Sequence, residues 1–97
     1  MIRHTVVFKL KHAKDSPEEK AFFEAAQKLA AIPEVHHFES LQQVSKKNNF
    51  DYCFSMEFDD QQAYDDYNKH PDHVVFVKDF WVKEVADFME IDYTPKK

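Results

Sequence analysis

Residues 50 to 58, FDYCFSMEF, alternate without a break: Phe50, Tyr52, Phe54, Met56 and Phe58 on one side, Asp51, Cys53, Ser55 and Glu57 on the other. A period of two sends successive side chains to opposite faces of a strand. The segment therefore belongs in a sheet with one face buried and the other open to water or to a second sheet. Residues 2 to 10 repeat the pattern, with Ile2, His4, Val6, Phe8 and Leu10 set against Arg3, Thr5, Val7 and Lys9. Strands that are apolar on one side need helices to cover that side.

The sequence supplies such helices. Ser16-Pro17-Glu18-Glu19 joins an N-cap serine, a proline at the first helical position and a glutamate at the third, which is a capping box with a preset entry. Phe22, Phe23, Ala26, Leu29 and Ala30 form the apolar stripe that follows, and Ile32-Pro33 ends it. His36 to Val44 is a weaker strand, and Ser45 to Asn49 a polar turn leading into the strand of residues 50 to 58. Asp59 followed by Gln62 predicts a short helix through Tyr64 and Tyr67, stopped by Pro71. A third helix is expected from about Pro71 to Val85, with Val74, Phe76, Val77, Phe80 and Trp81 as core positions. Phe88 to Tyr93 is expected as a last strand.

The order β α β β α α β matches a ferredoxin-like α+β plan, a four-stranded antiparallel sheet with its helices on one face. Ninety-seven residues allow one domain, residues 1–97. The chain has no glycine, so any turn needing a positive φ must fall on Asn48, Asn49 or an aspartate.

The net charge of −5, with Lys and Arg scattered, lacks the basic stripe of a nucleic-acid binder. No segment reaches the roughly 18 apolar residues of a membrane span, and lysines interrupt the N-terminal segment where a signal peptide would be apolar. We therefore expect a cytoplasmic protein with neither nucleic acid nor membrane as partner. The single Cys53 forms no internal disulfide and belongs to no C-x-x-C pair. His36 and His37 should point to opposite faces and so not share a metal. No metal site and no phosphate-cradling glycine loop is expected, and no cofactor.

Two polar residues interrupt apolar strand faces: His4 between Ile2 and Val6, and Tyr52 between Phe50 and Phe54. Both should face the helices, where Tyr67 and His73 are candidate partners in one shared cluster. A single histidine on such a face is more often a hydrogen-bonded core residue than a catalyst. Four polar tips converging in an apolar cavity would also suit proton transfer near neutral pH.

RHTVVFKLK in the first strand, YNKHPDHV across the helix boundary and IDYTPKK at the C-terminal end resemble the stress-responsive dimeric α/β barrel (Dabb) family, over nearly the whole chain. The specific element is His70-Pro71-Asp72-His73-Val74. The resemblance implies a homodimer in which two four-stranded sheets form one barrel, each protomer holding a pocket between sheet and helices. In a plant polyketide-folding cyclase of that family, the tyrosine and histidine at the positions of Tyr67 and His73 act as hydrogen-bond donor to the substrate carbonyl and as general base. The first-strand histidine is kept as His4. Tyr52 replaces a second strand histidine, Val75 and Val77 replace glycines, and Ala26 replaces a tyrosine, so the pocket must differ in shape.

We accordingly expect a pocket for a small, largely apolar carbonyl-containing molecule. His73 and Tyr67 are its candidate catalytic residues, and His4, Tyr52, Val6, Phe8, Phe22, Phe54, Met56 and Phe76 its candidate ligand-binding residues. Cofactor-independent aldol-type cyclase or lyase chemistry is one alternative, and a structural or interaction module without catalysis is the other.

Overall fold

The computed structural model describes residues 1–97. Its elements are β1 (Ile2–Leu10), α1 (Pro17–Ala26) with a 3₁₀ turn (Gln27–Ala31), β2 (His36–Gln42), β3 (Tyr52–Phe58), α2 (Gln61–Lys69), α3 (Pro71–Phe76) and β4 (Val85–Tyr93). A π-helical turn (Val77–Trp81) and a last α turn (Val82–Glu84) carry α3 into β4. The strands are ordered β2-β3-β1-β4 and all pairs are antiparallel. This is the ferredoxin-like arrangement, with the two cleanly alternating strands in the centre of the sheet.

Alternation decides what is buried. Val6, Phe8 and Leu10 of β1 and Phe54, Met56 and Phe58 of β3 pack with Phe22 and Ala26 of α1, Leu29 of the 3₁₀ turn, Tyr64 and Tyr67 of α2, and Phe76 of α3. Phe8, Phe22, Phe54 and Phe58 are fully buried, each contributing about 2 to 3 kcal/mol of apolar transfer free energy. The ring pairs Phe8–Phe22 at 5.9 Å and Phe23–Phe54 at 5.8 Å tie the sheet to α1.

The helix signals act locally as expected. Ser16 Oγ accepts from the Glu19 amide at 3.2 Å, and Pro17 opens α1. In α2 the N-cap is Asp60, one residue later than expected, its carboxylate accepting from the Ala63 amide at 2.9 Å. His70 ends α2 and caps α3, its Nδ1 accepting from the Asp72 amide at 3.1 Å.

Two boundaries differ from the sequence pattern. β2 stops at Gln42 because Gln43 turns the chain, bonding Asp51 O through its amide and Phe50 O through its side chain. β4 begins at Val85 rather than Phe88; its first residues pair with the end of β1 across a register shift that a helical stripe conceals. The positive φ values fall on Asp15, an aspartate as expected, and on His37, and not on Asn48 or Asn49. His37 lies in a β-bulge between His36 and Glu39, where the extra residue takes the left-handed conformation that histidine tolerates better than most non-glycine residues. The two imidazoles go to separate carboxylates, His36 to Asp59 and His37 to Glu57.

Candidate functional site

β1, β3 and β4 form the floor of a cavity of about 500 Å³, and α2, α3 and the π-helical turn form its walls. His73, Tyr67, His4, Val6, Phe54, Met56 and Phe76 all line it, together with Tyr64, Asn68, Trp81, Phe88 and Glu90. Phe8 and Phe22 lie outside the lining as fully buried core. Tyr52 also lies outside it.

His4 is 7% exposed and held on one side only. Its Nδ1 donates to Asp92 Oδ1 at 2.6 Å, which places the ring proton on Nδ1. The Tyr64 hydroxyl donates to Asp92 Oδ2 at 2.9 Å and lies 2.9 Å from the same ring nitrogen. The antiparallel register makes this triad, since His4 and Asp92 are direct partners across β1 and β4. Burial, followed by the bond to Asp92, pushes the Tyr64 hydroxyl pKa well up, so this phenol stays protonated. With Nδ1 engaged, Nε2 is the polar atom of His4 left for the cavity.

Tyr67 and His73 form the second part. Their rings lie 4.3 Å apart at 44°, and Tyr67 also packs on Phe58 at 5.0 Å. Tyr67 is only 2% exposed, and no fully buried side-chain nitrogen or oxygen lacks a partner. Its hydroxyl makes no bond to a protein side chain and so opens onto the cavity. Burial and the charge of Glu90 raise its pKa far above the usual phenol value, which keeps it a donor.

His73 follows Pro71 in the first turn of α3, and its Nδ1 donates to Asn68 O, the carbonyl of the preceding helix end, at 3.3 Å. Nε2 is thereby the basic nitrogen. Burial lowers the His73 pKa; the bond to the Asn68 carbonyl works against it, and the neighbouring His4 and His70 add smaller lowering effects. A neutral imidazole with one nitrogen held and the other free is suited to accept a proton near neutral pH.

The expected four-membered cluster thus divides. Tyr52 pairs with Phe8, four residues along β1 from His4, or about 13 Å at strand rise. Its hydroxyl donates to Glu19 Oε2 at 2.6 Å, and the other oxygen of Glu19 accepts from the Asp15 amide at 3.2 Å. Desolvation and this carboxylate raise the Tyr52 pKa. Tyr52 therefore fastens β3 to the start of α1.

The family model of the Stress responsive A/B Barrel Domain (Dabb) matches residues 2–95. The chain belongs to that family. A Dabb protein with a ferredoxin-like fold from Mesorhizobium loti has a crystal structure that superposes with a TM-score of 0.97 at 60% identity, covering 99% of this chain and 97% of that one. Olivetolic acid cyclase of Cannabis sativa is 26% identical over 99% of this chain and 98% of its own length. A dimeric ferredoxin-like protein of unknown function from Thermobifida fusca superposes with a TM-score of 0.78 at 24% identity, over 97% of this chain and 90% of that one.

Within this Dabb domain the sequence pattern did not point to Tyr64, Asp92, Glu90, Trp81 or the role of Glu19. Tyr64 precedes Tyr67 by one helical turn, and that i, i+3 spacing on α2 was the available signal. For Asp92 and Glu90 the signal was inverted. On β4 the apolar residues Met89 and Ile91 pair with Val7 and Thr5 on the face away from the helices, while Phe88, Glu90 and Asp92 face them.

Proposed function

We propose that this chain binds a small, largely apolar molecule carrying a carbonyl group in the cavity, each protomer of a homodimer holding one such site. The observation that carries the reading is the pair of polar groups left free on an apolar wall, the Tyr67 hydroxyl and the Nε2 of His73, with rings 4.3 Å apart. Ligand screening by thermal shift with small aromatic ketones tests it. Ketones should stabilise the wild type more than His73→Ala, and equal shifts for the two proteins would remove the support.

The lowered pKa and fixed tautomer of His73 favour a second reading, cofactor-independent cyclase or lyase chemistry, as the name of the cyclase relative suggests. Nε2 would take a proton from the carbon next to a carbonyl while the Tyr67 hydroxyl donates a hydrogen bond to the developing enolate oxygen. The carbanion would then attack a second carbonyl carbon of the same molecule, forming a carbon–carbon bond. The proton on Nε2 would return to the new alkoxide. Exchange of the α-proton of a β-diketone for deuterium, followed by NMR, isolates the first step.

The homodimer rests on the sheet face that the helices leave bare. Val7, Leu41, Cys53, Met89 and Ile91 lie there between the rim charges of Arg3, Lys9 and Glu57, and Leu41 and Met89 are 42% and 46% exposed in the single chain. A second copy of the same face would cover them. Sedimentation should give a dimer for the wild type and a monomer for Ile91→Lys.

A further inference from the structure

We infer that Glu90, with Trp81 and Phe88, forms a subsite for a cationic nitrogen of the ligand, so that the cavity selects amine-bearing molecules over neutral ones and neutral ones over carboxylates. The inference rests on the small-molecule reading of the cavity and names the chemistry at its outer end.

Glu90 is the only acidic residue among the cavity-lining side chains, and none of them is lysine or arginine. No ion pair of the molecule uses it. It is solvent-exposed, on the edge strand β4, so its carboxylate stands at the mouth while its β1 partner Val6 is buried in the floor. Of the remaining polar groups, His4 is engaged with Asp92, and His73 and Tyr67 offer a basic nitrogen and a hydroxyl proton. The cavity therefore presents a carboxylate with no cation to balance it.

The groups beside it are aromatic. Phe88 lies two residues from Glu90 on the same strand face, and its ring meets Trp81 at 5.6 Å and 74°. Phe88 is 49% exposed despite its size. Two rings set nearly at right angles beside a carboxylate combine the two attractions that hold an ammonium group, the negative ring faces and the opposite charge. A ligand carboxylate there would meet a like charge.

Trp81 is the only tryptophan in the chain, so its indole N–H resonance reports occupancy without assignment of the rest. Phenethylamine, 2-phenylethanol and phenylacetate, matched in size and differing in charge, are titrated into the full chain. In the wild type the amine should bind about tenfold more tightly than the alcohol, the gain expected of one charge-assisted contact at a wet site. The acid should bind more weakly than the alcohol. Glu90→Gln should bring the three affinities together, whereas Asp87→Asn, which removes the same charge from the opposite sheet face beside Lys9, should leave their order intact.

An order that survives Glu90→Gln, or is lost equally in Asp87→Asn, overturns the subsite while leaving the pocket standing. An indole resonance unmoved by all three ligands overturns the pocket, and the subsite with it.

Discussion

His4 and Tyr52 are alike in the sequence. Each is a polar residue in an otherwise apolar, helix-facing row, one near each end of the β1–β3 ladder. At the Tyr52 end, α1 presents the Glu19 carboxylate, and the hydroxyl is satisfied inside the protein. At the His4 end, Asp92 and Tyr64 hold one ring nitrogen, and α2 and α3 add a phenol and an imidazole whose outward polar atoms have no protein side chain to meet. A polar intruder on a strand thus becomes a fastening or part of a site according to what the facing helix brings. One end closes the fold and the other leaves a cavity of about 500 Å³.

The largest difference between the ends should appear in chemistry. His73→Ala is expected to slow α-proton exchange of a β-diketone by about 100-fold or more, the contribution of a positioned general base. Tyr52→Phe should leave that rate unchanged. Equal losses in the two variants would mean that the ends are not functionally distinct.

Stability should show the next effect, and in reverse. Tyr52→Phe removes a hydrogen bond to a carboxylate that is itself buried, and should cost about 1 to 2 kcal/mol in urea unfolding with no change in ligand affinity. Tyr64→Phe removes the bond to Asp92 next to His4 and should cost a similar amount, about 1 to 2 kcal/mol. Unlike Tyr52→Phe, it should also weaken ligand binding, because the His4 ring loses part of its support. A Tyr64→Phe variant with unchanged affinity would show that the triad is structural only.

Much of this was legible in the residues. Alternation in β1 and β3 gave the buried face, Ser16 and Glu19 the start of α1, and the His70-Pro71 junction the break that turns His73 back towards Asn68. Tyr67 and His73 stood out by resemblance, and the structure brings both to the cavity with His4. The pairing of His4 with Asp92 was not legible, because its partners are 88 positions apart and only the β1–β4 register aligns them. That register was hidden by β4 itself, whose apolar residues Met89 and Ile91 face away from the helices. A local pattern records which side of a strand is apolar, and β4 uses its apolar side away from the core. Tyr52 could not be separated from His4 for a related reason. Its partner Glu19 had already been explained as a helix cap, yet its carboxylate bonds both the Asp15 amide and the Tyr52 hydroxyl.

The smallest expected effect is a pH dependence that distinguishes the ends by sign. Burial lowers the His73 pKa below its ordinary 6.5, so between the folded value and 6.5 the unfolded chain binds a proton that the native protein does not. Stability therefore rises with pH through that window, is fully present above 6.5, and is lost as the solution is acidified below it. Tyr52 behaves oppositely. Its pKa is raised from an ordinary 10.0, so the native state keeps a proton that the unfolded chain releases. Its contribution is fully present below 10.0 and is lost as pH rises towards the folded value. Urea midpoints measured across pH should accordingly fall less steeply in acid for His73→Gln than for the wild type, with no difference between them at pH 8. Tyr52→Phe should match the wild type's acid slope and fall less steeply above pH 10, where Tyr64 and Tyr67 still contribute. An unchanged acid slope in His73→Gln would show that this imidazole is not held neutral by the fold, and the proton-accepting role assigned to it would fail with that result.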